Sequence, residues 1–148
     1  MIPRTIHDIA VGDGASFAKT ISETDVYLYA GITGDFNPAH VDEVYASQTF
    51  FKSRIAHGML TAGLISAILG TRFPGPGTIY LRQELAFLAP VRIGDTVTAS
   101  VEVIERDPAR NRLRLKTCCR NQHGVAVLEG EAVVSPPKAP AAVSEGRG

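Results

Sequence analysis

Gly58-Met59-Leu60-Thr61-Ala62-Gly63-Leu64-Ile65-Ser66-Ala67-Ile68-Leu69-Gly70-Thr71 is the stretch that decides the fold of this chain. It carries no charged side chain. Its apolar residues (Met59, Leu60, Ala62, Leu64, Ile65, Ala67, Ile68 and Leu69) occupy every face of the helix they predict. A helix that is apolar all round is expected to be buried all round. At this length it is too short to span a bilayer. In a chain of 148 residues a sheet curling round the helix would provide the cover. Pro74-Gly75-Pro76-Gly77 then stops any continuation.

Downstream, the sequence supplies that sheet. Thr78 to Leu88 has β-type composition, and Pro90 and Gly94-Asp95 mark a break. Thr96 to Ile104 alternates, with Val97, Ala99, Val101 and Val103 on one side and Thr98, Ser100 and Glu102 on the other. Asp107 to Asn111 reads as a hairpin loop. Arg112 to Arg120 alternates again, setting Leu113, Leu115 and Thr117 against Arg112, Arg114 and Lys116. Asn121 to Gly124 is a turn, and Val125 to Val134 is the last strand. From Ser135 the Pro, Ala, Ser and Gly content predicts a disordered tail over 136–148, leaving one domain over 1–135.

Upstream the pattern is helical. After a first strand over Ala15 to Ile21, Ser22-Glu23-Thr24-Asp25 has the form of a capping box. The helix it opens runs to about Ile32, with Val26, Tyr29, Ala30 and Ile32 on its inner face. Pro38 forces Asn37 out of helical conformation. His40 to Gln48 predicts a further short helix that buries Val44 and Tyr45, and residues 49–56 form a loop. The whole is α+β, an antiparallel sheet wrapped on a helix.

Composition excludes several functions. Fifteen basic and fifteen acidic residues cancel, so neither a nucleic-acid footprint nor a polybasic membrane patch is present. Cys118 and Cys119 are adjacent and cannot form an ordinary staple, which suits a reducing compartment. The first residues lack the apolar core of a signal peptide. A cytoplasmic protein is expected.

The chemistry-bearing residues crowd just before the central helix. Asp35 stands five positions from His40 across a Pro-containing turn, with Asn37 and Asp42 nearby, and His57 precedes Gly58. Singly, these residues have plain structural readings. Asp35 and Asn37 suit a turn, Asp42 a helix N-terminus, His57 a structural hydrogen bond, and Ser66 a bond to the carbonyl four residues earlier. Asp35, His40, Asp42 and His57 also admit a metal reading, but they lack a standard ligand spacing, and no metal is expected. His7 and His123 read as surface residues. So do most of Arg82, Arg112, Arg114 and Lys116, with one or two left as candidates to meet phosphates.

Taken together the motifs are specific. Thr33-Gly34-Asp35-Phe36-Asn37-Pro38-Ala39-His40-Val41-Asp42, followed by Ile55-Ala56-His57-Gly58-Met59, resembles the hydratase motif of the MaoC-like, R-specific enoyl-CoA hydratases. The likeness is greatest to the short bacterial form that supplies polyhydroxyalkanoate synthesis. It continues through Gly70, Ile79-Tyr80-Leu81, Phe87, Pro90-Val91 and Gly94-Asp95-Thr96-Val97. The resemblance implies a hot-dog fold, a homodimer, and reversible syn hydration of trans-2-enoyl-CoA to (R)-3-hydroxyacyl-CoA. Matched by position, it implies Asp35 and His40 as the catalytic pair and the Gly58 amide as donor to the thioester oxygen. Ser66 matches a further polar residue of the family's site, and Asn37 belongs to the motif. No cofactor is implied, because CoA enters as part of the acyl-CoA substrate.

The chemistry is consistent with these residues. Hydration requires a water deprotonated beside C3, a proton delivered to C2, and stabilisation of charge on the thioester oxygen. An Asp–His pair can meet the first two demands. The residue types leave open which member takes the water proton, and Asp35 as principal base is the expectation. A helix-start amide meets the third demand, and a glycine there lets the thioester approach closely. The rival readings are a hot-dog thioesterase, a dehydratase acting on acyl carrier protein or a branched CoA ester, and a silent acyl-binding subunit. The acyl tunnel is expected to draw on Leu64, Ile65, Ile68 and Phe87.

Overall fold

The computed structural model describes residues 4–138. A short 3-10 turn, Ile6–Asp8, leads into β1 (Gly14–Thr20). The helical half follows as α1 (Glu23–Thr33), α2 (Pro38–Val41), α3 (Glu43–Ser47) and α4 (Gly58–Thr71). Then come β2 (Ile79–Phe87), β3 (Thr96–Asp107), β4 (Arg112–Arg120) and β5 (Ala126–Ser135). The five strands form one antiparallel sheet in the order β1-β3-β4-β5-β2, so β1 and β2 are its edges. This is the hot-dog arrangement, with α4 as the filling.

The alternation read from the sequence sets the core. Val97, Ala99, Val101 and Val103 of β3, and Leu113, Leu115 and Thr117 of β4, all point inward and are buried. They meet Leu64, Ile65, Ile68 and Leu69 of α4. Each fully buried aliphatic side chain of this kind contributes about 1.5–3 kcal/mol. The capping box forms as predicted. Asp25 N–H donates to Ser22 Oγ (3.1 Å) and Ser22 N–H donates to Asp25 Oδ2 (2.9 Å).

Four expectations need correction. The sheet covers α4 on one side only, leaving a strip of Met59, Gly63, Ser66, Ala67 and Gly70 exposed. Ile32 is 82% exposed, because α1 buries the face of Val26 and Ala30, and a residue two positions after Ala30 lies on the opposite side of the helix. The segment from His40 to Gln48 is two short helices broken at Asp42. That break turns Val44 and Tyr45 outward and buries Ala46 instead. Beyond β5, Pro136 and Pro137 remain buried, and Asn111 Nδ2 donates to the Pro136 carbonyl (2.8 Å). Residues 139–148 of the expected tail lie outside the described residues. Among the described residues, no helix is long and apolar enough to cross a membrane.

Candidate active site

Two segments build the site. The first begins where Gly34 ends α1 in the left-handed region (φ 78°), a conformation that favours glycine. Asp35 Oδ1 then accepts from Asn37 N–H (3.2 Å), and Asn37 Oδ1 accepts from Ala39 N–H (3.0 Å) as the N-cap of α2. Pro38 at the first helical position suits its fixed φ. These local bonds turn His40 inward, where it is buried. Asn37 does not line the cavity. Its role is to hold the turn that carries Asp35 and His40.

The second segment is the loop of residues 49–56 and the start of α4. Arg54 fastens it. Its guanidinium reaches Glu23 (2.7 Å), Glu43 (3.0 Å) and the Tyr27 hydroxyl (3.0 Å), with the side chain only 15% exposed. One cation thus ties α1, α3 and the loop together, and sequence reasoning passed it over. Its partners lie eleven to thirty-one residues away, beyond the reach of any local pattern.

The two segments are stitched by their histidines. The His40 Nδ1–H donates to the Ile55 carbonyl (2.7 Å). A carbonyl only accepts, so Nδ1 carries the proton and Nε2 keeps its lone pair. By the same logic His57 Nε2–H donates to the Asp35 carbonyl (2.9 Å). His57 Nδ1 is then an acceptor, buried and without a partner in the protein. The two rings stack with centroids 3.9 Å apart and planes 32° apart, and the Tyr29 ring lies 4.7 Å from that of His57. Burial pushes the His40 imidazole below its ordinary value, and the neighbouring His57 adds to this. The Ile55 hydrogen bond and the Asp35 charge oppose the shift without cancelling it. His40 is therefore neutral at pH 7 and can accept a proton at Nε2.

Asp35, His40 and His57 each offer a ligand atom within 4.8 Å of the others. Three of the four residues in the metal reading thus come together. Asp42 does not, because its carboxylate caps α3 by accepting from Tyr45 N–H (3.0 Å).

A cavity of about 540 Å³ opens onto this cluster. Asp35, His40, His57 and Gly58 stand on its wall, and the rest is largely apolar, including Phe51, Phe87 and Leu128. Gly58 is the first residue of α4. Its amide and that of Met59 have no backbone acceptor among the described residues, as expected of a helix start. A Cβ on Gly58 would fall 2.6 Å from Phe87 Cε1 and 2.7 Å from Cδ1, so only glycine fits there without displacing that ring. Of the expected tunnel residues Phe87 lines the cavity. Leu64, Ile65 and Ile68 do not, because they face the sheet. Ser66 lies on the exposed strip of α4, and the single chain does not bring it to the cavity. Thr61 does line the cavity, with its Oγ buried and unpartnered. A hydroxyl one turn past Gly58, on a helix with few polar side chains, was the signal for it.

A family model described as a MaoC like domain matches residues 10–119. The chain is 57% identical to an (R)-specific enoyl-CoA hydratase of Rhodospirillum rubrum over 137 residues, covering 93% of this chain and 94% of that protein. The R-hydratase PhaJ1 of Pseudomonas aeruginosa superposes with a TM-score of 0.87 at 46% identity, covering 91% of this chain and 86% of that one. The (R)-hydratase of A. caviae, described as involved in PHA biosynthesis, superposes at 0.85 and 42% identity, covering 87% and 98%.

Proposed function

This chain belongs to the MaoC-like family, and on that premise we propose that it is a hydro-lyase. It catalyses reversible syn hydration of trans-2-enoyl-CoA to (R)-3-hydroxyacyl-CoA. One observation carries the proposal. The Asp35 carboxylate and the His40 imidazole come within 4.8 Å of each other, and both stand with Gly58 on the wall of one apolar cavity. The substrate lies with its thioester oxygen on the Gly58 N–H and its acyl chain in the cavity. Asp35 and His40 hold a water against C3. Asp35 takes a proton from it as the hydroxyl adds to C3, and the protonated carboxyl returns that proton to C2 on the same face. Losing one such oxyanion donor typically lowers turnover about 100- to 1,000-fold. No redox cofactor or metal takes part, and CoA enters only with the substrate.

We also read the working form as a homodimer. The open edge of β2 and the small-residue strip of α4 support this, because both are surfaces that a second copy would cover. Its setting is the cytoplasm, where it feeds hydroxyacyl-CoA to PHA synthesis.

The test is the loss of enoyl-thioester ultraviolet absorbance on mixing the protein with crotonyl-CoA, with Asp35→Asn as control. Fast loss that is absent in the variant and releases no free CoA supports the reading. Release of free CoA from the thioester would mark a thioesterase instead.

A further inference from the structure

Hydrogen-bond accounting leaves each member of the Asp35, His40 and His57 cluster with an unused electron pair. Asp35 commits Oδ1 to the Asn37 amide (3.2 Å), and its other carboxylate oxygen has no partner among the described residues. His40 donates Nδ1–H to the Ile55 carbonyl (2.7 Å), which frees Nε2. His57 donates Nε2–H to the Asp35 carbonyl (2.9 Å), which makes Nδ1 an acceptor. That Nδ1 belongs to a residue only 2% exposed and has no partner among the described residues. Buried acceptors are seldom left unserved, and one on a cavity wall points to a ligand.

Both imidazoles carry the supporting bond of a metal ligand. A ligating histidine almost always donates its other ring N–H to a carbonyl, carboxylate or water, which fixes its tautomer and orientation. His40 and His57 both do so, each to a carbonyl of the segment that bears the other residue or leads to it. One ligand atom from each of the three residues lies within 4.8 Å of the others. A tetrahedral zinc ion with bonds of about 2.0–2.1 Å sets its ligand atoms about 3.4 Å apart. The set therefore closes on such an ion by drawing in up to about 1.5 Å, and Asp35 is an exposed side chain with room to turn. The cavity supplies the entry path and an open fourth position. Two nitrogens and one carboxylate oxygen suit zinc and its first-row neighbours, whereas magnesium takes oxygen ligands. Sequence spacing conceals the set, because residues 35 and 40 meet residue 57 only when the two segments close.

We propose that Asp35, His40 and His57 bind a zinc-type divalent ion, and that the bound ion shuts off hydration. The inhibition rests on the hydratase reading above. The ion takes no part in the reaction. It occupies the carboxylate and the imidazole nitrogen that otherwise hold water against C3, so ion binding and turnover exclude one another. Activity thereby answers to the level of free zinc.

The experiment titrates metal-stripped protein with zinc chloride in a calorimeter and assays the same samples on crotonyl-CoA. One ion should bind per chain, Tm should rise, and hydration should fall in step with occupancy and return with EDTA. Magnesium chloride should do none of this. His57→Gln and Asp35→Asn should each weaken zinc binding about tenfold or more, with melting temperatures read alongside. If His57→Gln does not fold, Asp35→Asn carries the comparison, since it keeps an oxygen for the Asn37 amide. No zinc binding by wild type overturns the proposal. Binding that survives the substitutions also overturns it, by placing an adventitious ion elsewhere, and so does a bound ion that leaves hydration unchanged. Wild type that binds zinc at these residues but never hydrates crotonyl-CoA overturns the hydratase reading and the inhibition with it, while the metal site stands.

Discussion

Gly58→Ala separates the chemistry of the site from its stability. The new methyl would fall 2.6 and 2.7 Å from two ring carbons of Phe87, so ordinary contact requires the ring to retreat by nearly 1 Å. Phe87 is 56% exposed in the single chain and ends β2, so within one chain the ring has room to move. Overpacking of this kind costs about 1–3 kcal/mol. Alanine's advantage over glycine in a helix returns about 0.5–1 kcal/mol. The net loss is about 0–2.5 kcal/mol, a few degrees in Tm for a chain of this size. Activity should fall much further. The amide remains, but the methyl and the displaced ring occupy the approach of the thioester oxygen. The expected loss in kcat/KM is that of an oxyanion donor, about 100- to 1,000-fold. Thermal melts followed by circular dichroism and the crotonyl-CoA absorbance assay read the two quantities. A folded variant with wild-type kcat/KM would refute the placement of the thioester on this amide.

Asp35→Asn keeps an oxygen for the Asn37 amide but removes the base. Turnover should fall about 100- to 10,000-fold with an unchanged far-ultraviolet spectrum. The pH profile should follow His40, whose folded value lies below its ordinary 6.5. The kcat/KM should hold through neutrality and decline only below pH 6.5. The linkage has the same sign. The unfolded chain binds the proton first, so stability falls as pH drops from 6.5 toward the folded value and then levels off. Titration of the ring by NMR would check both, and a midpoint above 6.5 would contradict the burial argument. Thr61→Val replaces an unpartnered buried hydroxyl with a methyl, so Tm should hold or rise. A fall equivalent to more than about 1 kcal/mol would mean that the hydroxyl has a partner in solution.

Local signals carried most of the fold. The capping box at Ser22, the helix of α4 and the alternation in β3 and β4 each involve residues within a few turns or a single strand, and each element forms as read, although α4 is not buried all round. Burial was legible only where one element had a polar and an apolar face. The open side of α4 carries glycine, alanine and serine rather than charge, so hydropathy could not distinguish it from the packed side. Val44 and Tyr45 were misplaced because a break at Asp42 rotates everything after it. At the site, Asp35, His40 and Gly58 were visible as a motif. The stacking of His57 on His40 and the Arg54 clasp depend on long-range closure, which no periodicity encodes.

The reciprocal hydrogen bonds of His40 to Ile55 and His57 to Asp35 bear on how the protein can vary. They fix the reacting groups from both ends of the intervening segment, which acts as a closed loop anchored at its base. The free energy of closing such a loop grows only with the logarithm of its length, about 0.6 kcal/mol per doubling. Residues inserted between Ser47 and Lys52 would lengthen the rim beside Phe50 and Phe51 and leave the anchored base in register. The entrance can therefore be remodelled for different acyl groups by changes in loop length alone, a form of evolvability built into the stitch itself.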